Sequence, residues 1–296
     1  MSKKGKAAKK STSARKPKSP VKRTARGSLS VATSARRSVG ERVEAMSQAP
    51  LAVCENDESL QAMLKVLRNK DEPVEVRRAA LQSLSAAAFS VLAFESCRAD
   101  YIATLREIVT DPDPLLRRRA LGILSREHDG FAQKKLLEGL KDSEKALVPP
   151  EKALQLLSYD IHSEAYSIAR EIVEKPPSTA AKREALRLLA ADATAAPMFE
   201  KVLRDKDEMA ENRQIAASVL QALRPEKLQE HAREIVLDTK EYDDIQATSL
   251  IALTQFGDAE AIAEDKTLKK RVDKLSDKAS TKVKQGARRF IKKYGE

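Results

Sequence analysis

Residues 109–124 read VTDPDPLLRRRALGIL, a turn rich in Asp and Pro followed by apolar residues that recur every three to four positions. Asp caps exposed backbone amides where a helix begins, and Pro suits the first turn because its missing N–H has no partner there. The apolar spacing is that of one face of an α-helix. The stretch therefore predicts a turn between two helices and the beginning of the second.

The same arrangement recurs along the chain at intervals of 31 to 40 residues. In each unit a small residue is followed at once by Leu or Ala, and a large apolar residue lies four positions after the small one. The small positions are Ala80, Ala120, Ala153, Ala185, Ala216, Ser249 and Gly286. Small side chains let crossing helices approach while large neighbours fill the groove. This period predicts stacked helix pairs that bury their apolar faces only against one another.

Another apolar stripe precedes each small position and predicts the first helix of each pair. Its members are Leu64 with Leu67, Leu105 with Ile108, Leu137 with Leu140, Ala169 with Ile172, Phe199 with Val202, and Ala232 with Ile235. High charge and few aromatic side chains, 33% and 4% of the residues, favour helices over strands.

Residues 109–124 resemble the HEAT-repeat consensus, and residues 71–84, which contain VRRAAL, match it nearly as well. The resemblance covers about residues 58–296, although the later units keep only the turn or the apolar skeleton. It implies an all-α fold, a right-handed α-solenoid of about seven HEAT-like helical hairpins. It says little about function.

The HEAT resemblance also implies a structural ladder between turn aspartates and second-helix arginines. Here the ladder would pair Asp71 or Asp111 with Arg77 or Arg117. The alternative is a basic stripe that binds phosphates along one face. Its members would be Arg77, Arg78, Arg117, Arg118, Arg119, Lys182, Arg183 and Arg213.

The net charge of +11 is distributed unevenly. Residues 1–40 contain 13 basic side chains (Lys and Arg) and no acidic one. Residues 266–296 contain 12 basic and three acidic side chains, and residues 41–265 contain 30 basic and 41 acidic side chains. We therefore predict a disordered basic tail over residues 1–45, a repeat region over 46–265, and basic C-terminal capping helices of the same solenoid over 266–296.

The basic tail resembles linker-histone tails in composition, and both ends are predicted to bind nucleic acid. Ser19, followed by Pro20 among basic residues, is a candidate phosphorylation site. The alternative for the C-terminal block is a solvated terminal cap. The predicted nucleic-acid-binding residues are Lys3, Lys4, Lys6, Lys9, Lys10, Arg15, Lys16, Lys18, Lys22, Arg23, Arg26, Lys284, Arg288, Arg289, Lys292 and Lys293.

Catalytic and metal-binding motifs are not recognisable in the sequence. His128, His162 and His231 lie at different phases of the repeat, so stacking is not expected to bring them together. The chain lacks the His-Glu dipeptides of the deoxyhypusine hydroxylase family and the Trp of the HEAT-like DNA glycosylases. Because a solenoid is also expected to lack a deep pocket, we predict no enzyme, no cofactor and no metal site.

The sequence therefore predicts an adaptor whose repeat surface binds a protein partner and whose basic tail binds DNA, RNA or another polyanion without sequence specificity. The alternative is a pure protein scaffold or assembly factor whose tail serves only localisation, solubility or autoinhibition. We expect a monomer that is intracellular, either cytoplasmic or in the nucleoid or nucleus, and not secreted, because neither a transmembrane span nor a secretory signal is recognisable.

Overall fold

A computed structural model describes residues 25–50, 57–89, 94–160 and 163–295. Within these ranges the chain forms seventeen α-helices and three short 3-10 helices, and no strand. It divides into two compact units, Met1–Thr104 and Leu105–Glu296. The predicted all-α fold of helical hairpins is confirmed.

Unit 1 is built from two hairpins and the first part of a further helix. α1 packs on α2, α3 packs on α4, and α2 also contacts α4, so the hairpins stack through their second helices. Met46, Leu64 and Leu81 are buried between them. The helices are α1 (Ala25–Thr33), α2 (Val39–Ser47), α3 (Asp57–Arg68), α4 (Val74–Ala88) and α5 (Arg98–Ile108), the last of which contains the division between the units.

Helices α1 and α2 correct the predicted extent of the disordered tail. Residues 25–33 and 39–47 are helical, whereas the prediction placed residues 1–45 in the tail. Ser38 and Glu41 form a reciprocal capping box at the start of α2, and Ala45 and Met46 are buried. Apolar burial and capping stabilise this segment despite its basic composition. Residues 1–24 lie outside the described residues.

In unit 2, the second helices of successive hairpins pack against one another in chain order. α6, α8, α10, α12, α14 and α17 each contact the next in that order, and α7, α9, α11, α13 and α16 pack beside their own second helices. The helices are α6 (Pro114–Arg126), α7 (Gly130–Lys141), α8 (Pro150–Leu157), α9 (Ser163–Glu174), α10 (Thr179–Leu189), α11 (Ala196–Arg204), α12 (Ala210–Leu223), α13 (Pro225–Leu237), α14 (Asp243–Phe256), α15 (Ala259–Glu264), α16 (Lys266–Lys278) and α17 (Thr281–Tyr294).

All seven small positions lie on second helices and are buried. Gly286 shows why a small residue is needed there. A Cβ atom at this position would lie 3.2 Å from Leu250 Cβ and 3.6 Å from the Ala247 carbonyl oxygen. The backbone of α17 therefore approaches α14 more closely than most side chains permit.

The predicted first-helix stripes are also buried, except for Leu140, which is only half-buried. Leu140 instead lines a cleft beside the turn that follows α7. Among the described residues, no helix combines the length and the apolar character needed to cross a membrane.

Candidate functional site

The predicted nucleic-acid-binding residues fall in three groups. Lys3, Lys4, Lys6, Lys9, Lys10, Arg15, Lys16, Lys18, Lys22 and Arg23, with the candidate phosphorylation site Ser19, lie outside the described residues. Arg26 belongs to α1, although its side chain is not described. The remaining five lie on α17, so α17 is the part of the predicted interface that the structure describes.

One side of α17 is apolar and the opposite side is basic. Val283, Ala287 and Phe290 are buried against α14 and α16. Lys284, Arg288 and Lys292 are spaced four residues apart and therefore lie along one ridge of the helix, rising about 6 Å per step. Arg288 and Lys292 are exposed and Lys284 is half-exposed.

The edge of α17 nearest α14 is held by its own hydrogen bonds. Lys282 Nζ lies 2.7 Å from Asp244 Oδ1, and this contact raises the pKa of Lys282. Lys293 Nζ donates to the Thr254 carbonyl oxygen at 2.6 Å and lies 4.9 Å from the centre of the Tyr294 ring. Lys293, which was predicted to bind nucleic acid, is exposed. Its ammonium group nevertheless already has partners within the fold.

The four other predicted residues of α17 have no carboxylate partner among the described residues. We call them the basic face: Lys284, Arg288, Arg289 and Lys292. Elsewhere in unit 2, cations are commonly matched by acids on the same or the next hairpin. Such cations are Arg106, Lys135, Lys141, Lys145, Arg170, Lys182, Arg183, Arg187, Lys206, Arg213, Arg224, Lys227 and Arg233.

A ladder of ion pairs links successive hairpins, but its acidic members are not all those predicted. In unit 1, Arg42 on α2 binds both oxygens of Glu72 at 2.6 and 2.9 Å. The prediction named Asp71 in this turn, and Asp71 is exposed. In unit 2, Arg213 on α12 binds both oxygens of Glu241. Glutamate thus takes the place predicted for Asp71 in the turn before α4, and a glutamate also serves in the turn before α14.

Among the other predicted ladder residues, Arg77 and Arg117 donate to backbone carbonyls and Asp111 accepts from a backbone amide. Arg77 is buried and its Nε donates to the Leu67 carbonyl oxygen at 3.0 Å. Arg117 Nη1 donates to the carbonyl oxygen, not the carboxylate, of Asp111 at 2.8 Å. The Asp111 side chain is buried and accepts from the Asp113 amide at 3.0 Å. These contacts support a structural role.

The alternative basic stripe is largely engaged within the fold. Arg77 and Arg213 are buried, while Lys182 binds Glu208 and Arg183 binds Glu211. Arg118 and Arg119 are exposed on α6. Because most members of the stripe already have partners, it does not form a continuous row of cations available to phosphates.

First helices carry another set of ion pairs that the sequence analysis missed. Arg106 on α5 contacts Asp129, the N-cap residue of α7, at 2.6 Å. Arg233 on α13 contacts Asp265, the N-cap residue of α16, at 2.5 Å. The hydrogen bond from Arg233 lowers the pKa of Asp265 more than burial raises it. Asp directly before a predicted helix, 23 to 32 residues after an Arg, is the signal that would have indicated these pairs.

A cleft of about 770 Å³ opens in unit 2 beside the turns that follow α7 and α9. Its wall is mostly apolar and includes Leu140, Leu147 and Ile172, and it also contains Arg117 and Glu171. This volume is within the range of small-molecule sites, about 300–1,000 Å³. Unit 2 therefore has an open cleft of small-molecule size, which the sequence did not predict.

The described histidines lie apart from each other, as predicted. His128 is exposed, with a positive φ of 54°, and its Nδ1 lies 3.5 Å from Asp160 Oδ2. His231 lies between first helices, 3.5 Å from Glu200. His162 is outside the described residues.

Comparison with known proteins gives structural neighbours only. No protein-family model matches the chain, and no curated protein matches it. The complex of CpcE and CpcF of phycocyanin lyase from Nostoc sp. PCC7120 aligns over 89% of this chain and 98% of that chain, with 16% identity and a TM-score of 0.41. Human deoxyhypusine hydroxylase in complex with glycerol aligns over 83% and 99%, with 16% identity and a TM-score of 0.34. This likeness concerns the helical architecture alone.

The prediction that the chain is not an enzyme is corrected. It depended on the lack of recognisable catalytic motifs in the sequence, whereas the structural neighbours are a lyase and a hydroxylase. It also depended on the absence of a pocket, and unit 2 contains the cleft. The fold class therefore does not exclude catalysis.

Proposed function

We propose that this chain is a HEAT-like binding protein that holds nucleic acid, or another polyanion, without sequence specificity. Its basic N-terminal segment and the basic face of α17 would contact the phosphates, and its repeat surface would bind a protein partner. Membership in the HEAT-like family is part of this proposal and is supported by the seven buried small positions. The proposal places the protein inside the cell, in the cytoplasm, nucleoid or nucleus.

The observation that carries the proposal is the unneutralised charge of the basic face. Many cations of unit 2 lie against a carboxylate, whereas Lys284, Arg288, Arg289 and Lys292 have none among the described residues. Unpaired cations that share one exposed side attract phosphates, because each contact with a phosphate releases counterions that are condensed on the nucleic acid.

The structure of α17 also supports binding without sequence reading. Its two aromatic side chains, Phe290 and Tyr294, are buried and pack on each other with ring centres 5.1 Å apart. They are therefore unable to stack on bases, which is the usual source of affinity for single strands. Contacts with phosphates alone position a protein and carry no sequence information.

The test is the salt dependence of binding to duplex DNA and to single-stranded RNA, measured by fluorescence anisotropy on the full chain. The test variant is Arg288→Gln, Arg289→Gln and Lys292→Gln combined. We expect weaker binding to duplex DNA and a slope of log affinity against log salt that is shallower by up to about 2.7, since each phosphate contact contributes about 0.9.

A matched control removes three charges that have partners: Lys135→Gln, Lys141→Gln and Lys145→Gln, whose ammonium groups lie 2.5 to 3.0 Å from carboxylates. The net charge changes equally, so a purely long-range effect would affect both variants alike. Equal losses in the two variants would contradict a local role for the basic face. Negligible binding by the unmodified chain would eliminate the nucleic-acid function.

A second function, a pure protein scaffold, is favoured by one surface of unit 2. Met209 and Tyr242 are each 50% exposed, although their size and apolar character favour burial. Glu211, Asp243 and Asp244 lie near them at the beginnings of α12 and α14. Apolar side chains flanked by acids suit a basic amphipathic segment of a partner protein.

The scaffold function is tested by capture of partners with Met209→Ser combined with Tyr242→Ser. Phe131→Ser is the control, since Phe131 is 38% exposed on α7 without this acidic surround. Loss of a captured protein in the double variant alone, together with no measurable nucleic-acid binding by the unmodified chain, would favour the scaffold over the adaptor.

A further inference from the structure

Three groups that can bind a metal meet between two neighbouring first helices of unit 2. Glu200 lies on α11, and Glu230 and His231 are consecutive on α13. One ligand atom from each lies within 4.8 Å of the other two. No metal-binding motif marks this cluster in the sequence, because 30 residues separate Glu200 from Glu230.

The imidazole of His231 has an unsatisfied nitrogen that faces this cluster. Its Nε2 is inaccessible to water and has no hydrogen-bond partner among the described residues. Only 17% of the His231 side chain and 25% of the Glu200 side chain are exposed. A buried polar atom without a partner is costly, so it indicates a group that binds there.

The separation of His231 Nε2 from Glu200 Oε2 is 3.5 Å. Two ligands about 2.0–2.2 Å from one tetrahedral Zn²⁺ are themselves about 3.4 Å apart. The spacing is therefore already that of two ligands of one ion. A carboxylate oxygen of Glu230, which is exposed, lies within 4.8 Å of both.

The charge of the cluster also suits a cation. Lys227 Nζ lies 3.0 and 3.1 Å from the two oxygens of Glu230. The hydrogen bond with Glu230 is the main reason that the pKa of Lys227 is raised, and the charge of Glu200 adds to it. With neutral His231, two carboxylates and one ammonium leave a net charge of −1. A divalent ion would displace the ammonium from Glu230 and compensate both carboxylates.

We propose that Glu200, Glu230 and His231 form a Zn²⁺ site that links α11 to α13. One nitrogen and two carboxylate oxygens are ligands that Zn²⁺ accepts, and an imidazole ligand disfavours Mg²⁺ and Ca²⁺, which prefer oxygen alone. Three protein ligands leave a fourth position for water or for a bound group. The site is independent of the nucleic-acid function.

The experiment is a titration of the metal-stripped full chain with Zn²⁺, followed by calorimetry and by thermal unfolding. We expect one Zn²⁺ per chain, a higher unfolding temperature with zinc, and a loss of affinity of at least about tenfold in His231→Gln and in Glu200→Gln, since changes even to outer partners of metal ligands cost about 10–100-fold. His128→Gln is the matched control, because His128 is exposed and far from the cluster in the repeat.

Lys227→Gln should change the zinc affinity in the opposite direction to His231→Gln and Glu200→Gln. Removing the competing ammonium should tighten zinc binding, whereas a lysine with a merely structural role would weaken it or leave it unchanged. Circular dichroism of each variant without zinc establishes that the helices remain. The proposal is overturned if the unmodified chain binds no zinc, or if His231→Gln binds zinc as tightly as the unmodified chain does.

Discussion

Arg213 and Glu241 form a fully buried ion pair between successive hairpins of unit 2. Nη1 donates to Oε1 at 2.8 Å and Nη2 donates to Oε2 at 2.7 Å, and the two side chains are 2% and 0% exposed. Arg213 Nε also donates to the Leu203 carbonyl oxygen at 2.9 Å. One side chain on α12 is therefore bonded to the end of α11 and to the turn before α14.

Removing one member of this pair should destabilise unit 2 strongly. Glu241→Gln leaves the Arg213 charge buried without a counterion, and we expect a loss of about 3–5 kcal/mol in the free energy of unfolding. Urea denaturation followed by circular dichroism measures this loss. Arg187→Gln is the control, since Arg187 is 50% exposed beside Glu184 and should cost less than about 1 kcal/mol. Similar losses in both variants would contradict this view of the pair.

The same pair should make stability depend on acid pH. Burial raises the pKa of Glu241, but hydrogen bonds from Arg213, Lys206 and the Tyr242 amide outweigh burial and lower the pKa below its ordinary value. A lowered folded-state pKa means that the stabilisation is complete above the unfolded-state value, about 4.3, and is lost as the pH falls through the folded-state pKa. Unfolding midpoints between neutral and acid pH should decline less steeply in Glu241→Gln than in the unmodified chain.

Gly286 on α17 and Gly122 on α6 differ in the space around them, so substituting them should have opposite effects on stability. Gly286→Leu forces atoms into the space held by Leu250, and overpacking of this kind costs about 1–3 kcal/mol. Gly122→Ala on α6 adds a Cβ atom whose nearest neighbours are 3.8 and 3.9 Å away, so it should stabilise by about 0.5–1 kcal/mol through helix propensity. Thermal unfolding of both variants measures the two signs. A stable Gly286→Leu variant would show that α17 is not packed against α14 as described.

Helices α1 and α2 predict a difference between two truncated chains. A chain that starts at residue 25 keeps every described helix and should unfold at the same temperature as the full chain. A chain that starts at residue 48 loses α1, α2 and the pair of Arg42 with Glu72, and it exposes the side of α4 on which α2 packs. We expect this second truncation to lower the unfolding temperature of unit 1. Equal stability of the two chains would instead support the prediction that the tail covers residues 1–45.

The N-terminal hairpin was missed because its signals are short. α1 and α2 are nine residues each and bury mainly small side chains such as Ser28 and Ala32, so no long apolar stripe marks them. The Ser38 and Glu41 capping box was a readable signal for the beginning of α2. The basic composition of residues 1–40 instead led to the prediction of a disordered tail over residues 1–45.

The position of the acid in the turn before α4 was predicted one residue away for a different reason. Asp71 and Glu72 are adjacent, and local sequence does not say which of them faces the neighbouring hairpin. The structure shows Glu72 against Arg42 and Asp71 exposed. The longer side chain spans the gap between hairpins, a distance that only the stacked arrangement sets.

The sequence by itself determined the helices of the repeats and the buried small positions from Ala80 to Gly286, because the spacing of apolar and small residues along a helix is a local property. The tertiary structure alone decided which carboxylate each arginine meets, which cations of α17 have no carboxylate partner within the part of the chain that the structure describes, and that Glu200 lies beside His231. These relationships depend on the rotation and offset of one hairpin against the next, and packing between hairpins sets both.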